Sequence, residues 1–179
     1  MAEEKKEPWL NYLALTTVIL AVCATLSTFK GGSFSTRSVL SQTQAANQWA
    51  YYQAKGIKSY LYEIQKEKLE LDLDQEGDGL SPHALESLKK TISTYADRIA
   101  KYNSEKAAIE VEAKRLEAIR DDAQKHSQGF GIAVIFLQIA ILLSSVAALM
   151  KKKVVWYLGV LMGVIGIVYF ADGFLLFFL

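Results

Sequence analysis

Three stretches of this chain carry almost no charge, and each is long enough to cross a lipid bilayer as a helix. Residues 8–29 and 129–150 contain no Asp, Glu, Lys or Arg, and residues 154–179 contain only Asp172. A helix rises about 1.5 Å per residue, so roughly 20 apolar residues span a hydrocarbon layer of about 30 Å. Three membrane helices are therefore expected. The first uncharged run exceeds the roughly 7–15 residues of a secretory signal core. The sequence "ATLSTFKGG" that ends it is also a poor small-x-small cleavage site, so an uncleaved anchor is expected.

The charge is concentrated between the first two runs, which the overall figures of 51% hydrophobic and 22% charged conceal. A formal net charge of +1 argues against a nucleic-acid binder that relies on bulk positive charge. The single cysteine, Cys23, permits neither an intramolecular disulfide nor a cysteine-based metal cluster. No cofactor is expected.

The charged middle has a heptad rhythm. Apolar or small residues recur at steps of three and four through Leu40, Thr43, Asn47, Ala50, Ala54, Ile57, Leu61, Ile64, Lys68 and Leu71. "DQEGDGLSPH" interrupts, with Ser81 suited to cap a new helix and Pro82 to its first position. The rhythm resumes through Leu85, Leu88, Ile92, Tyr95, Ile99, Tyr102, Lys106, Ile109, Ala113, Leu116, Arg120 and Ala123. A 3.5-residue period in two arms joined by a short turn predicts an antiparallel coiled coil. Pairing Leu71 near Pro82 sets Asn47 opposite Lys106, an expected polar layer that fixes register. The fold class expected is all-α: three transmembrane helices with a long antiparallel coiled-coil hairpin between the first and second. Its parts are residues 1–29 (tail and first membrane helix), 30–128 (hairpin, turn about 73–81) and 129–179 (second and third membrane helices). "KGGSFS" after the first membrane helix reads as a flexible joint.

Small residues mark packing faces within the membrane part. Gly159 and Gly163 form a GxxxG, Gly166 follows one turn on, and Thr17, Ala21 and Thr25 make a similar ridge. Gln138 and Asp172 are polar residues inside apolar runs, and an intramembrane carboxylate is by default a candidate functional site. Asp172 lies about 28 Å along the axis from Lys153, near the far interface. The short loop Lys151-Lys152-Lys153, with Lys5 and Lys6 on the same side, favours a cytoplasmic loop and a hairpin outside the cytoplasm.

Candidate chemistry is sparse. Asp74, Glu76 and Asp78 alternate before Gly79 as in a calcium loop, but the twelfth position holds Leu85 and Glu86 comes one residue late. A solvated acidic turn is the expected reading, with weak divalent binding as its alternative. His83 and His126 fall at opposite ends of the hairpin, and no nucleophile–base–orienting set is evident. From Lys30 to Lys58 there is no acidic residue, whereas acids dominate from Glu63 to Asp78. That asymmetry suits a base near anionic lipid and a tip away from it.

One stretch resists this simple picture. "QWAYYQAKGIKSYLY" places Trp49, Tyr51, Tyr52, Tyr60 and Tyr62 on several sides of one helix. One neighbouring helix cannot cover all of them, so these five are expected to contact a second protein surface, most simply another copy; an arm lying flat on the bilayer is the alternative explanation.

The same stretch carries a family resemblance. Trp49, Tyr51, Tyr52, Gln53, Ala54 and Lys55, together with the opening "WLNYLALTTVILAVCATLSTFKGG", resemble a bacterial family of small membrane proteins catalogued as domain of unknown function 4337. The resemblance runs over essentially the whole chain and implies a bacterial inner-membrane protein with no assigned reaction or ligand. The expected function is a non-enzymatic, membrane-anchored coiled-coil scaffold. Its expected partners are the lipid bilayer, further copies of the chain or a larger membrane complex, and no nucleic acid. The alternatives are an oligomeric channel or transport component using Gln138 and Asp172, and a divalent-cation- or lipid-responsive sensor.

Overall fold

A computed structural model describes residues 8–76 and 79–178. The described residues form three α-helices and no strand: α1 (Pro8–Glu76), α2 (Pro82–Met150) and α3 (Lys153–Leu175). All three are long and apolar enough to cross a membrane, which is compatible with a multi-pass membrane protein.

The helix boundaries follow from local chemistry. Both prolines of the chain, Pro8 and Pro82, stand first in a helix, where the missing N–H and fixed φ cost nothing. Ser81 caps α2: its Oγ accepts from the Ala84 N–H at 3.3 Å and its carbonyl from the Leu85 N–H at 3.0 Å. Lys151 and Leu176 adopt left-handed conformations (φ 51° and 52°) just past the ends of α2 and α3. At the second of these ends the Leu176 N–H donates to the Asp172 carbonyl at 2.7 Å.

The joint expected at "KGGSFS" is not there. α1 runs unbroken through Lys30–Ser35, and α2 through "GFG" at 129–131. Glycine weakens a helix by about 1 kcal/mol when it does nothing else. Here Gly31 is a contact point: a Cβ on it would stand 3.0 Å from the Phe130 Cβ, and its carbonyl accepts from Ser127 Oγ at 3.1 Å. Close helix approach explains the glycine better than flexibility does.

The chain divides into two compact units. The first, Met1–Leu40 with Ile119–Leu179, holds the uncharged part of each helix. Its core is Leu20, Ala24, Ala133, Leu137 and Ala140, with Met162, Tyr169 and Phe170 against it. A second cluster joins Trp9, Leu13 and Ala147 to Val155 and Trp156. Inward residues are mostly small, while the outward ones, such as Leu15, Ile135 and Leu161, are large and apolar.

The second unit, Ser41–Ala118, is a two-helix hairpin. Lys55 meets Glu105, and Tyr62 meets both Tyr95 and Tyr102, so α1 and α2 run antiparallel. On α2 the heptad row read from sequence faces inward, with Ile109, Ala113 and Leu116 buried. On α1 it does not. Ser41, Ala45, Gly56 and Ser59 are the buried residues there, while Ile57, Leu61, Ile64 and Leu71 are exposed. α1 therefore turns a small-and-aromatic face to α2 and leaves its aliphatic row outside. Aromatic side chains bury more area than aliphatic ones, and the Trp49 indole N–H finds a partner on α2 in Glu117, which favours the face that holds them.

Candidate functional site

The inward face of the hairpin is a stack of aromatic and charged layers. Nearest the uncharged part of α1, Trp49 donates its indole N–H to Glu117 Oε1 at 2.8 Å and meets Tyr52 edge-on at 5.5 Å. Next, the Lys106 ammonium lies over the rings of Tyr52 and Tyr60, at 4.9 and 5.9 Å from their centroids. Gly56 is buried beside it, where a Cβ would lie in ordinary contact with Lys106 Nζ at 3.7 Å.

The third layer is an ion pair, Lys55 Nζ to Glu105 Oε2 at 2.5 Å, with the Lys55 ammonium over Tyr51 and Tyr102. The hydrogen bond from Lys55 holds the Glu105 carboxyl below the usual carboxylate range. Reciprocally, Glu105 raises Lys55 above the ordinary lysine value. Beyond it the Ser59 hydroxyl donates to Glu63 Oε1 at 3.0 Å and lies 3.3 Å from the Asn103 amide oxygen. Finally Tyr62 packs against Tyr95 and Tyr102, with ring centroids 5.2 and 5.9 Å apart.

This stack answers the question raised by the aromatic helix. Trp49, Tyr52, Tyr60 and Tyr62 all engage α2, because long α2 side chains such as Lys106 and Glu117 reach around the flanks of α1. Tyr51 and Tyr60 keep about half or more of their surface exposed, at 51% and 61%. The expected Asn47–Lys106 layer is also displaced. Lys106 stands beside Gly56, nine residues along α1 from Asn47, and Asn47 is exposed. Heptad counting finds the inward face of α2 but not that of α1, where the tyrosine and lysine contacts go with a different face and a different register.

The membrane-type glycines pack within the chain. A Cβ on Gly159 would stand 3.2 Å from the Ala140 carbonyl oxygen, one on Gly163 2.8 Å from Leu20, and one on Gly166 2.8 Å from Leu137. Thr17 donates to the Leu13 carbonyl at 2.8 Å, and Ala21 is half-buried. Gln138 and Asp172 part company: Asp172 is buried and Gln138 is exposed. One Asp172 oxygen accepts from the Phe178 N–H at 2.8 Å, and its backbone carbonyl holds Leu176, so this aspartate ties down the turn that ends α3.

Around it lies a layer that sequence reading missed. His126 Nδ1–H donates to the Gly173 carbonyl at 2.8 Å, and Phe34 stacks on the His126 ring at 4.5 Å. Phe130 fills the space between Gly31, Phe34, Gly173 and Phe174. The signal was available in "GFG" and "DGF", two glycine–phenylalanine pairs of the kind that lock helices together.

At the turn, Asp74 is exposed, whereas the Glu76 side chain and Asp78 lie outside the described residues. Among the described residues no group of three His, Cys, Asp or Glu side chains is placed to hold a metal ion.

A family model described as a domain of unknown function, DUF4337, matches residues 9–176. No curated protein and no solved structure matches the chain.

Proposed function

The chain belongs to the DUF4337 family, and from that premise we propose that it is a non-enzymatic, membrane-anchored helical hairpin that serves as an assembly scaffold. The three uncharged helical segments anchor it in the bacterial inner membrane. The tri-lysine loop supports a cytoplasmic position for residues 151–153 and a hairpin on the other side.

The observation that carries the reading is the exposed aliphatic row on α1. Ile57, Leu61, Ile64 and Leu71 are 62%, 55%, 65% and 53% exposed. At 100° per residue they share a stripe about 80° wide, on the side of α1 away from α2. A surface-bound amphipathic helix needs a wider apolar face than this; a two-residue-per-heptad stripe suits another helix. Lys68 interrupts the stripe and Lys58 and Asp72 flank it, which supports a partner surface of defined register rather than lipid.

The test is native mass measurement of the full chain in mild detergent. The wild type is expected as a discrete assembly, of copies of itself or with co-purified protein. Ile64→Glu with Leu61→Gln should convert it to monomer with its helical circular dichroism intact. A wild-type protein that is monodisperse, monomeric and free of partners would contradict the scaffold reading.

A further inference from the structure

We infer that the outward face of α2 around Gln138 is a contact between two copies of the chain inside the bilayer. This rests on the membrane reading above and adds a specific surface to it.

Gln138 lies nine residues into the uncharged run that begins at Gly129, about 13 Å along a hydrocarbon layer of roughly 30 Å. It is therefore close to the mid-plane, too deep to reach either headgroup region. Its side chain is exposed on the outside of the three-helix unit. A primary amide carries two N–H donors and a carbonyl acceptor, and acyl chains can satisfy none of them. A face that presents such a group to lipid is incomplete.

The chemistry of the group names its partner. A carboxamide is its own complement, donating and accepting at once, so two Gln138 side chains related by a two-fold axis satisfy each other. No other residue type is required, and a second copy supplies the match.

The neighbours of Gln138 permit the approach. Gly131 and Ser145 lie one heptad to either side, on the same line of α2, and both are exposed. A Cβ on Gly131 would meet nothing within 4 Å, so the chain's own packing gives no reason for a glycine there. Small residues at heptad spacing about a polar side chain allow membrane helices to come close. Ser145 Oγ bonds back to the Ile141 carbonyl at 2.9 Å and leaves no donor to satisfy. Between these positions Ile135 and Leu142, 58% and 65% exposed, supply apolar contact. The outward positions of α3, such as Leu161, Val164 and Val168, offer no amide. The α3 glycines, unlike Gly131, are already filled from within the chain.

The experiment uses the full chain in a Cys23→Ser background, reconstituted into phosphatidylcholine–phosphatidylglycerol vesicles. Single cysteines are placed by Leu142→Cys, Ser145→Cys and, on α3, Leu161→Cys, and each is oxidised with copper phenanthroline. Disulfide-linked dimers are expected from the two α2 positions and not from the α3 position. Adding Gln138→Leu should lower dimerisation roughly tenfold, with Gln138→Asn retaining part of it. Equal cross-linking at Leu161→Cys, or an unchanged yield with Gln138→Leu, would overturn the inference. Alkaline carbonate extraction separates the two readings. A protein released from membranes by carbonate defeats the membrane reading, whereas an integral protein that fails to cross-link defeats only this contact.

Discussion

Phe130→Ala should lower the melting temperature of the detergent-purified protein by roughly 6–12 °C, corresponding to about 3 kcal/mol. The Phe130 ring is fully buried and takes part in ring contacts with Phe34, Phe170 and Phe174 at 6.0, 6.1 and 4.8 Å between centroids. Gly31 and Gly173 abut it at distances that leave no room for a Cβ, so every helix of the unit touches this one side chain. Removing the ring leaves a cavity whose walls, held by Ser127–Gly31 and His126–Gly173 hydrogen bonds, cannot collapse to fill it. Differential scanning fluorimetry reads the shift directly. A change under about 2 °C would mean that the three helices are held elsewhere.

The second large effect is of the opposite kind, too much volume instead of too little. A Cβ on Gly129 would stand 2.9 Å from the Gly173 Cα and 3.1 Å from its nitrogen, so main chain would face side chain with nothing able to rotate away. Gly129→Val is expected to force α2 and α3 apart near the end of α3. The cost is about 1–3 kcal/mol from overpacking, and more if the adjacent His126–Gly173 bond is lost with it. Gly32→Ala is the matched control. A Cβ there meets nothing within 4 Å, and alanine favours the helix by about 1 kcal/mol, so that variant should melt at the same temperature or higher. Melting curves in which Gly129→Val and Gly32→Ala behaved alike would show that the close approach of α2 to α3 is not required.

The helical character, the start of α2 and the turn between α1 and α2 were legible in the sequence because they depend on local signals, whereas the unbroken run of α1 through residues 30–35 was not. Uncharged runs, two prolines at helix starts and a capping serine each act over a few residues. The pairing of α1 with α2 was less legible. On α2 the aliphatic and tyrosine positions coincide in one row, so the heptad count found the inward face. On α1 the aliphatic row lies on a different side from the small residues, Tyr52 and Tyr62 that face α2, and the count followed the aliphatics. Register failed for a related reason: Lys106 was placed by seam position, but it lies over the rings of Tyr52 and Tyr60. Gly31 of "KGGSFS" and Gly129 of "GFG" illustrate the remaining ambiguity. Glycine reads as a break from one chain segment alone, and only the facing Phe130 and Gly173 turn it into a contact.

Both proposed surfaces depend on the uncharged segments crossing a bilayer, and cysteine accessibility in sealed inverted and right-side-out vesicles tests that most directly. In a Cys23→Ser background, Ser81→Cys at the hairpin turn and Lys152→Cys in the tri-lysine loop should react with a membrane-impermeant maleimide from opposite sides. Val164→Cys in the middle of α3 should react from neither. Labelling of Ser81→Cys and Lys152→Cys from the same side, or free labelling of Val164→Cys, would contradict the membrane-anchored hairpin.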